Sequence, residues 1–196
     1  PGPIALFFPD LTQRPPKLEK DFPPLAPDAV VARLKAARLG FERGLLKWLK
    51  GDPKGITEMK VSVAMIEMTR ATPAARAYWW VALGVLDAMA ANGLPDATQA
   101  KMFAMRLGAQ IKKLVEGAAE VSEQLLREAL YLAACAAAGG AALAVVRAAY
   151  RLDGMVPTAT PSETERLLPI IRRLRELLAA AKDDWNRLCA GTAAAL

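Results

Sequence analysis

Histidine is missing from all 196 residues of the chain. That one absence excludes Ser-His-Asp and Cys-His nucleophilic catalysis, the HExxH zinc motif and phosphotransfer through histidine. Cysteine is scarce. Only Cys135 and Cys189 occur, both in segments that read as helix, and with no neighbouring His or Cys neither forms a metal-ligand pattern. A disulfide between them is disfavoured, and the pair fits a reducing compartment. No GxxxxGK[ST] loop and no GxGxxG following a strand is present, so standard nucleotide binding has no support. Val and Ile are few and seldom alternate with polar residues, which leaves little strand signal. No signal peptide is recognisable. Residues 129–146 carry no charge, yet 11 of these 18 are Ala or Gly and Gly139-Gly140 divides the run. A membrane-spanning helix needs about 20 strongly apolar residues. Two buried helices meeting at a Gly-Gly turn fit better. The sequence offers no catalytic residue, no cofactor-binding residue and no metal ligand set.

What is present is helix-forming. Apolar residues make up 54% of the chain, with alanine dominant and Leu, Met, Glu, Lys and Arg plentiful. The length suits one domain with a real core. The net charge is +6, but Lys and Arg are interleaved with Glu and Asp, as on a mixed solvated surface. The expected fold class is all-α: a single bundle of about seven antiparallel helices with an extended Pro-rich N-terminal arm.

The chain opens Pro1-Gly2-Pro3 rather than with Met, which reads as an excised fragment with residues 1–3 a tag scar. The arm covers 1–27. Its prolines forbid helix, while Leu6, Phe7, Phe8 and Leu11 are too apolar for a free linker, so it is expected to lie across the helical body. The bundle spans 28–190. Helix 1 starts at an Asp28 cap and buries Val31, Leu34, Phe41, Leu45 and Trp48, with Lys35, Glu42, Arg43 and Lys47 facing away. Asp52-Pro53 opens helix 2 and Thr72-Pro73 helix 3, which is apolar nearly all round and hence central. Asp96 starts helix 4, Ser122 caps helix 5, and helix 6 follows Gly139-Gly140 and runs through Val145, Val146 and Tyr150 to Leu152. Ser162 and Glu165 form a capping box for helix 7. Its stripe runs Leu167, Ile171, Leu174, Leu178, Ala181, Trp185 and Leu188, with Pro169 as a kink. Residues 191–196 are a frayed tail.

A few residues invite a functional reading. Asp87 is the one charge in the apolar part of helix 3. It either receives a ligand or a partner's Arg, or it marks a helix face reaching the surface or pairs internally with an Arg such as Arg76 or Arg106, and the second reading is favoured because buried charges are normally paired. Trp79-Trp80 fits core better than a partner anchor. Met59, Met65, Met68, Met102 and Met105 fit core filling, although Met65 and Met68 lie off the main stripe of helix 2 and could line an adaptable groove. Arg172, Arg173 and Arg175 give helix 7 a basic face that could meet an acidic partner or phosphate, and helix 7 and the outer faces of helices 1 and 4 are the candidate docking surfaces.

The order and spacing of several segments resemble one helical family. They are Leu6-Phe-Phe-Pro-Asp-Leu with Arg14-Pro-Pro, Phe41-Glu-Arg-Gly-Leu-Leu-Lys-Trp-Leu, Tyr78-Trp-Trp-Val-Ala-Leu-Gly-Val-Leu-Asp-Ala, Ser122-Glu-Gln-Leu-Leu-Arg-Glu-Ala-Leu-Tyr and Val146-Arg-Ala-Ala-Tyr-Arg-Leu-Asp-Gly. The family is the helical second domain of the FimL scaffold and of hybrid chemosensory kinases of the ChpA/PilL type. The resemblance implies a bacterial cytoplasmic setting, with recruitment to the cell pole and a role in type IV pilus control and twitching motility. It also implies protein partners: receiver domains, a polar hub, sibling domains of the same kinase or a second copy as a homodimer. Phosphotransfer domains in such proteins present a histidine, which this chain lacks throughout. A non-catalytic docking domain that binds no nucleic acid is therefore the first expectation. A basic amphipathic bundle binding anionic membrane or nucleic acid is the alternative, testable by its salt sensitivity.

Overall fold

The computed structural model describes residues 7–16, 25–118, 120–155, 172–179, 181 and 182. The chain divides into two compact units, Pro1–Val156 and Pro157–Leu196. Among the described residues there is helix and no strand, in keeping with the all-α expectation. The first unit holds six helices: α1 Pro27–Leu49, α2 Lys54–Glu67, α3 Pro73–Ala90, α4 Ala97–Val115, α5 Glu123–Cys135 and α6 Ala141–Tyr150. In the second unit a further helical segment covers 172–179.

The helix starts follow local chemistry. Thr72 accepts from the Ala75 N–H at 3.2 Å and Ser122 from the Leu125 N–H at 3.4 Å, each satisfying a donor that the first turn leaves free. Asp96 accepts from the Thr98 N–H at 2.8 Å. Asp52 accepts from the Lys54 N–H at 2.9 Å, although Pro53, not Asp52, holds the cap position of α2. The expected Asp28 cap is corrected. α1 begins at Pro27, whose fixed φ suits the first helical position, and Asp28 sits in the first turn, where its charge complements the helix dipole.

α3 is central, with 13 of its 18 residues buried, and packs against α2, α5 and α6. Trp79 and Trp80 are both core, and Trp80 meets Tyr150 of α6 at a ring separation of 6.0 Å. Contacts at the two ends of each pair show the directions. Lys60 meets Asp87 and Glu67 meets Arg76, so α2 and α3 run antiparallel. Trp80 with Tyr150 and Gly84 with Val146 make α3 and α6 antiparallel. α1 and α2 form an antiparallel hairpin closed by glycine. A Cβ on Gly44 would stand 2.7 Å from the Gly55 carbonyl oxygen, and one on Gly40 would stand 2.7 Å from Ser62 Oγ. Only residues without a side chain let two helices approach so closely.

The arm does lie on the body. Phe7 is buried edge-on against Tyr131 of α5 at 5.5 Å, the Tyr150 hydroxyl of α6 donates to the Gln13 carbonyl at 3.2 Å, and Arg76 of α3 donates to the Pro16 carbonyl at 3.3 Å. Asp10 folds the arm back on itself by accepting from the Thr12 hydroxyl and N–H and from Gln13 Nε2, bonds that hold its carboxyl down at about 2.

Several burial expectations need correction. Val31 is exposed, not core, because it lies off the arc of α1 that meets a neighbour. Met102 and Met105 are exposed on α4, whose buried arc is Ala100, Phe103, Ala104, Leu107 and Ile111. Leu174, Leu178 and Ala181 are exposed too. Helical periodicity supplies an apolar stripe, but burial needs a partner element, and the described residues of the second unit include no other element. The readings for Ile4 to Leu6, for Phe22-Pro-Pro, for Ser162, Glu165, Leu167, Pro169 and Ile171, for Trp185, Leu188 and Cys189 and for the tail 191–196 lie outside the described residues.

Candidate docking surface

Asp87 does structural work at the junction of three helices. Gly139-Gly140 leaves α6 without a cap residue of its own, since its N-cap is Gly140 and no side chain there can accept. The Asp87 carboxylate, reaching across from α3, accepts from the Ala142 N–H at 3.0 Å and takes that role. Its other oxygen pairs with Lys60 of α2. A Cβ on Gly140 would press on the Asp87 carboxyl carbon at 2.9 Å, so the turn must be glycine for the carboxylate to fit. Burial pushes the Asp87 carboxyl up. The Lys60 hydrogen bond and charge, with the Ala142 and Leu143 N–H groups, outweigh burial and hold it below the ordinary value. The expected partners Arg76 and Arg106 are corrected: Arg76 pairs with buried Glu67 at 2.7 Å, and Arg106 pairs with Glu128 of α5. Asp87 is thereby committed inside the fold and presents no free carboxylate to a ligand.

Burial raises the Cys135 thiol, which disfavours the nucleophilic thiolate. Burial pushes Tyr131 up to about 12, aided by its hydrogen bond to Cys135. Glu58 is held below the carboxylate range by hydrogen bonds from Lys47 and then Arg43, which tie α2 to α1. Among the described residues no group of three or more His, Cys, Asp or Glu is placed to hold a metal ion, and no helix is long and apolar enough to cross a membrane.

The surface is more informative than the interior. Met65 is half-buried against the core, while Met68 is exposed at the end of α2. Arg172, Arg173 and Arg175 are all exposed, and Arg173 pairs with Glu176 at 3.2 Å, so part of that basic face is spent along its own helix. The outer face of α1, a candidate docking surface from the sequence alone, leaves large apolar side chains in water. On α1, Leu39 is 68% exposed and Leu46 59%, with Val31 and Leu49 close to half exposed. These residues lie opposite the buried arc of Leu34, Ala37, Phe41 and Gly44. The signal was available: positions 39, 42, 46 and 49 step by three and four, the spacing of a helix-pairing seam.

A family model described as the FimL scaffold protein second domain covers residues 26–163. No curated protein and no solved structure matches.

Proposed function

We propose a function from one premise: the chain belongs to the family of FimL scaffold protein second domains. The reading is a non-catalytic scaffold and docking domain in a chemosensory signalling protein that controls type IV pili and twitching motility. It acts in the bacterial cytoplasm, with recruitment to the cell pole. The family match carries the reading. Two features support it: a chain with no histidine anywhere to accept phosphate, and large aliphatic side chains left in water on α1. A monomer without partners gains nothing from exposing such a row. The partners are receiver domains, polar hub proteins or sibling domains of the same signalling protein. The exposed face of α1 and the Arg172, Arg173 and Arg175 face are the candidate contacts, with exposed Met68 a further candidate.

Calorimetry of the chain against the receiver domains and polar hub proteins of a type IV pilus chemosensory system tests this. Saturable binding to at least one is expected, together with loss of that binding on Leu46→Glu or on Arg172→Glu/Arg175→Glu. Absence of binding to every one of them would sink the reading. Vesicle or DNA binding that vanishes with salt, in place of protein binding, would favour the basic-bundle alternative.

A further inference from the structure

The outer row of α1 reads, in steps of three and four residues, Val31, Lys35, Leu39, Glu42, Leu46 and Leu49, and every member is exposed. At 100° per residue these positions fall within one quadrant of the helix. From Val31 to Leu46 the row alternates apolar and charged residues, and the charges are of opposite sign on either side of its middle. Glu42 is bonded along the helix to Arg38 at 2.8 Å, while Lys35 has no ion-pair partner among the described residues.

That order is self-complementary. If a second α1 is laid antiparallel, with a two-fold axis between positions 38 and 39, Lys35 faces Glu42 of the second copy and Val31 faces its Leu46. Symmetry repeats both contacts, and the two Leu39 side chains close on each other beside the axis. A two-fold interface requires this property, since one patch must complement itself. A parallel pairing instead stacks Lys35 on Lys35 and Glu42 on Glu42, and like charges directly opposed are destabilising. We propose that the outer face of α1 is the interface of an antiparallel homodimer of this chain. The proposal deepens the scaffold reading by naming one partner, a second copy. A single helix face is at the small end of specific interfaces, so the dimer is a reversible one that dissociates on dilution.

The test is sedimentation equilibrium of the full chain over a concentration series, with circular dichroism to show that each variant keeps its helix content. Because the positions are exposed, folding is expected to survive every change. The wild-type chain should dimerise, and Leu39→Glu should be monomeric. Lys35→Glu alone and Glu42→Lys alone should each weaken dimerisation about tenfold or more, each being felt at two symmetric pairs. The double variant Lys35→Glu/Glu42→Lys should return to near wild-type affinity, because the swapped charges face each other again. A cysteine at position 39 should cross-link two copies under oxidation, whereas one at the exposed α4 position Met102 should not. A monomer across the whole series overturns the proposal, and so does a double variant weaker than either single one. The first outcome would mean that another part of the chain or a different protein covers the row. Neither outcome depends on receiver binding, so the scaffold reading and the dimer fail separately.

Discussion

Asp87 shows how a single residue can serve two elements that are distant in sequence. It neutralises Lys60 and caps α6, so removing it leaves a lysine without its partner and a helix start without its acceptor. Asp87→Ala is expected to cost about 2–4 kcal/mol, from the loss of a cap and of a largely buried charged pair. Urea denaturation would measure it, and a loss below about 0.5 kcal/mol, the level of an ordinary surface change, would refute the double role. The same carboxylate makes stability depend on acid. Its folded value lies below the ordinary 3.8, so its contribution is whole above that value and is lost as pH falls through the folded value. Asp87→Asn should therefore show a shallower loss of stability than the wild type between about pH 5 and pH 2. Equal slopes would assign the acid sensitivity elsewhere, with Glu58 the next candidate. From sequence, a lone acid in an apolar helix signalled an internal pair, and that was correct in kind. The partner was not legible, because Lys60 and Ala142 come near Asp87 only through packing. A clue did exist in the capless start after Gly139-Gly140, which called for an acceptor from outside the segment.

At the scale of the element, helix identities and three of the helix caps were readable because they depend on neighbours in the chain. Thr72, Asp96 and Ser122 each cap the helix that follows, as their positions suggested. Helix approach was not readable, since it depends on which faces meet. Gly44 and Gly55 sit inside or at the first turn of good helices, where sequence alone counts glycine as a weakness of about 1 kcal/mol. Their contact gives each glycine its reason. A methyl on Gly55 would overlap the Gly44 carbonyl and crowd the Trp48 backbone, whereas one on Gly108 would meet only the edge of the Phe41 ring at 3.2 Å. Gly55→Ala should thus destabilise by about 1–3 kcal/mol despite its better helix propensity. Gly108→Ala, where a ring can shift, should lie within about 1 kcal/mol of neutral. Comparison of the two urea midpoints checks this, and Gly55→Ala as stable as wild type would mean that the hairpin can open without loss. Direction was partly legible. Short connections make sequential helices antiparallel, yet α3 and α5 run the same way, because α4 lies between them in the chain: Gly93 at the end of α3 receives the Ala137 N–H just beyond the end of α5 at 2.8 Å.

Taken whole, the first unit is a helical body tied by its own N-terminal segment. That the arm would dock was legible from its apolar residues, of which Phe7 is buried and Phe8 stays 69% exposed; its seat on Tyr131, Tyr150 and Arg76 was not, because those side chains come from three helices. If the arm docks as one unit, Phe7→Ala and removal of residues 1–16 should destabilise the body equally, by about 2–4 kcal/mol, since the first cannot lose more than the docking itself supplies. A truncation clearly worse than Phe7→Ala would show that Gln13 and Pro16 hold on alone. The tie also orders events in time. The bond from Tyr150 to Gln13 joins residues 137 apart, the longest reach among the described hydrogen bonds. Such a closure is entropically slow and has no seat until α6 is in place. Of these residues the arm leaves the ribosome first, yet it is expected to be fixed last, after the body has formed behind it. Stopped-flow refolding of the truncated chain should then match the wild-type rate while unfolding runs faster, the signature of a latch that closes after the transition state has passed.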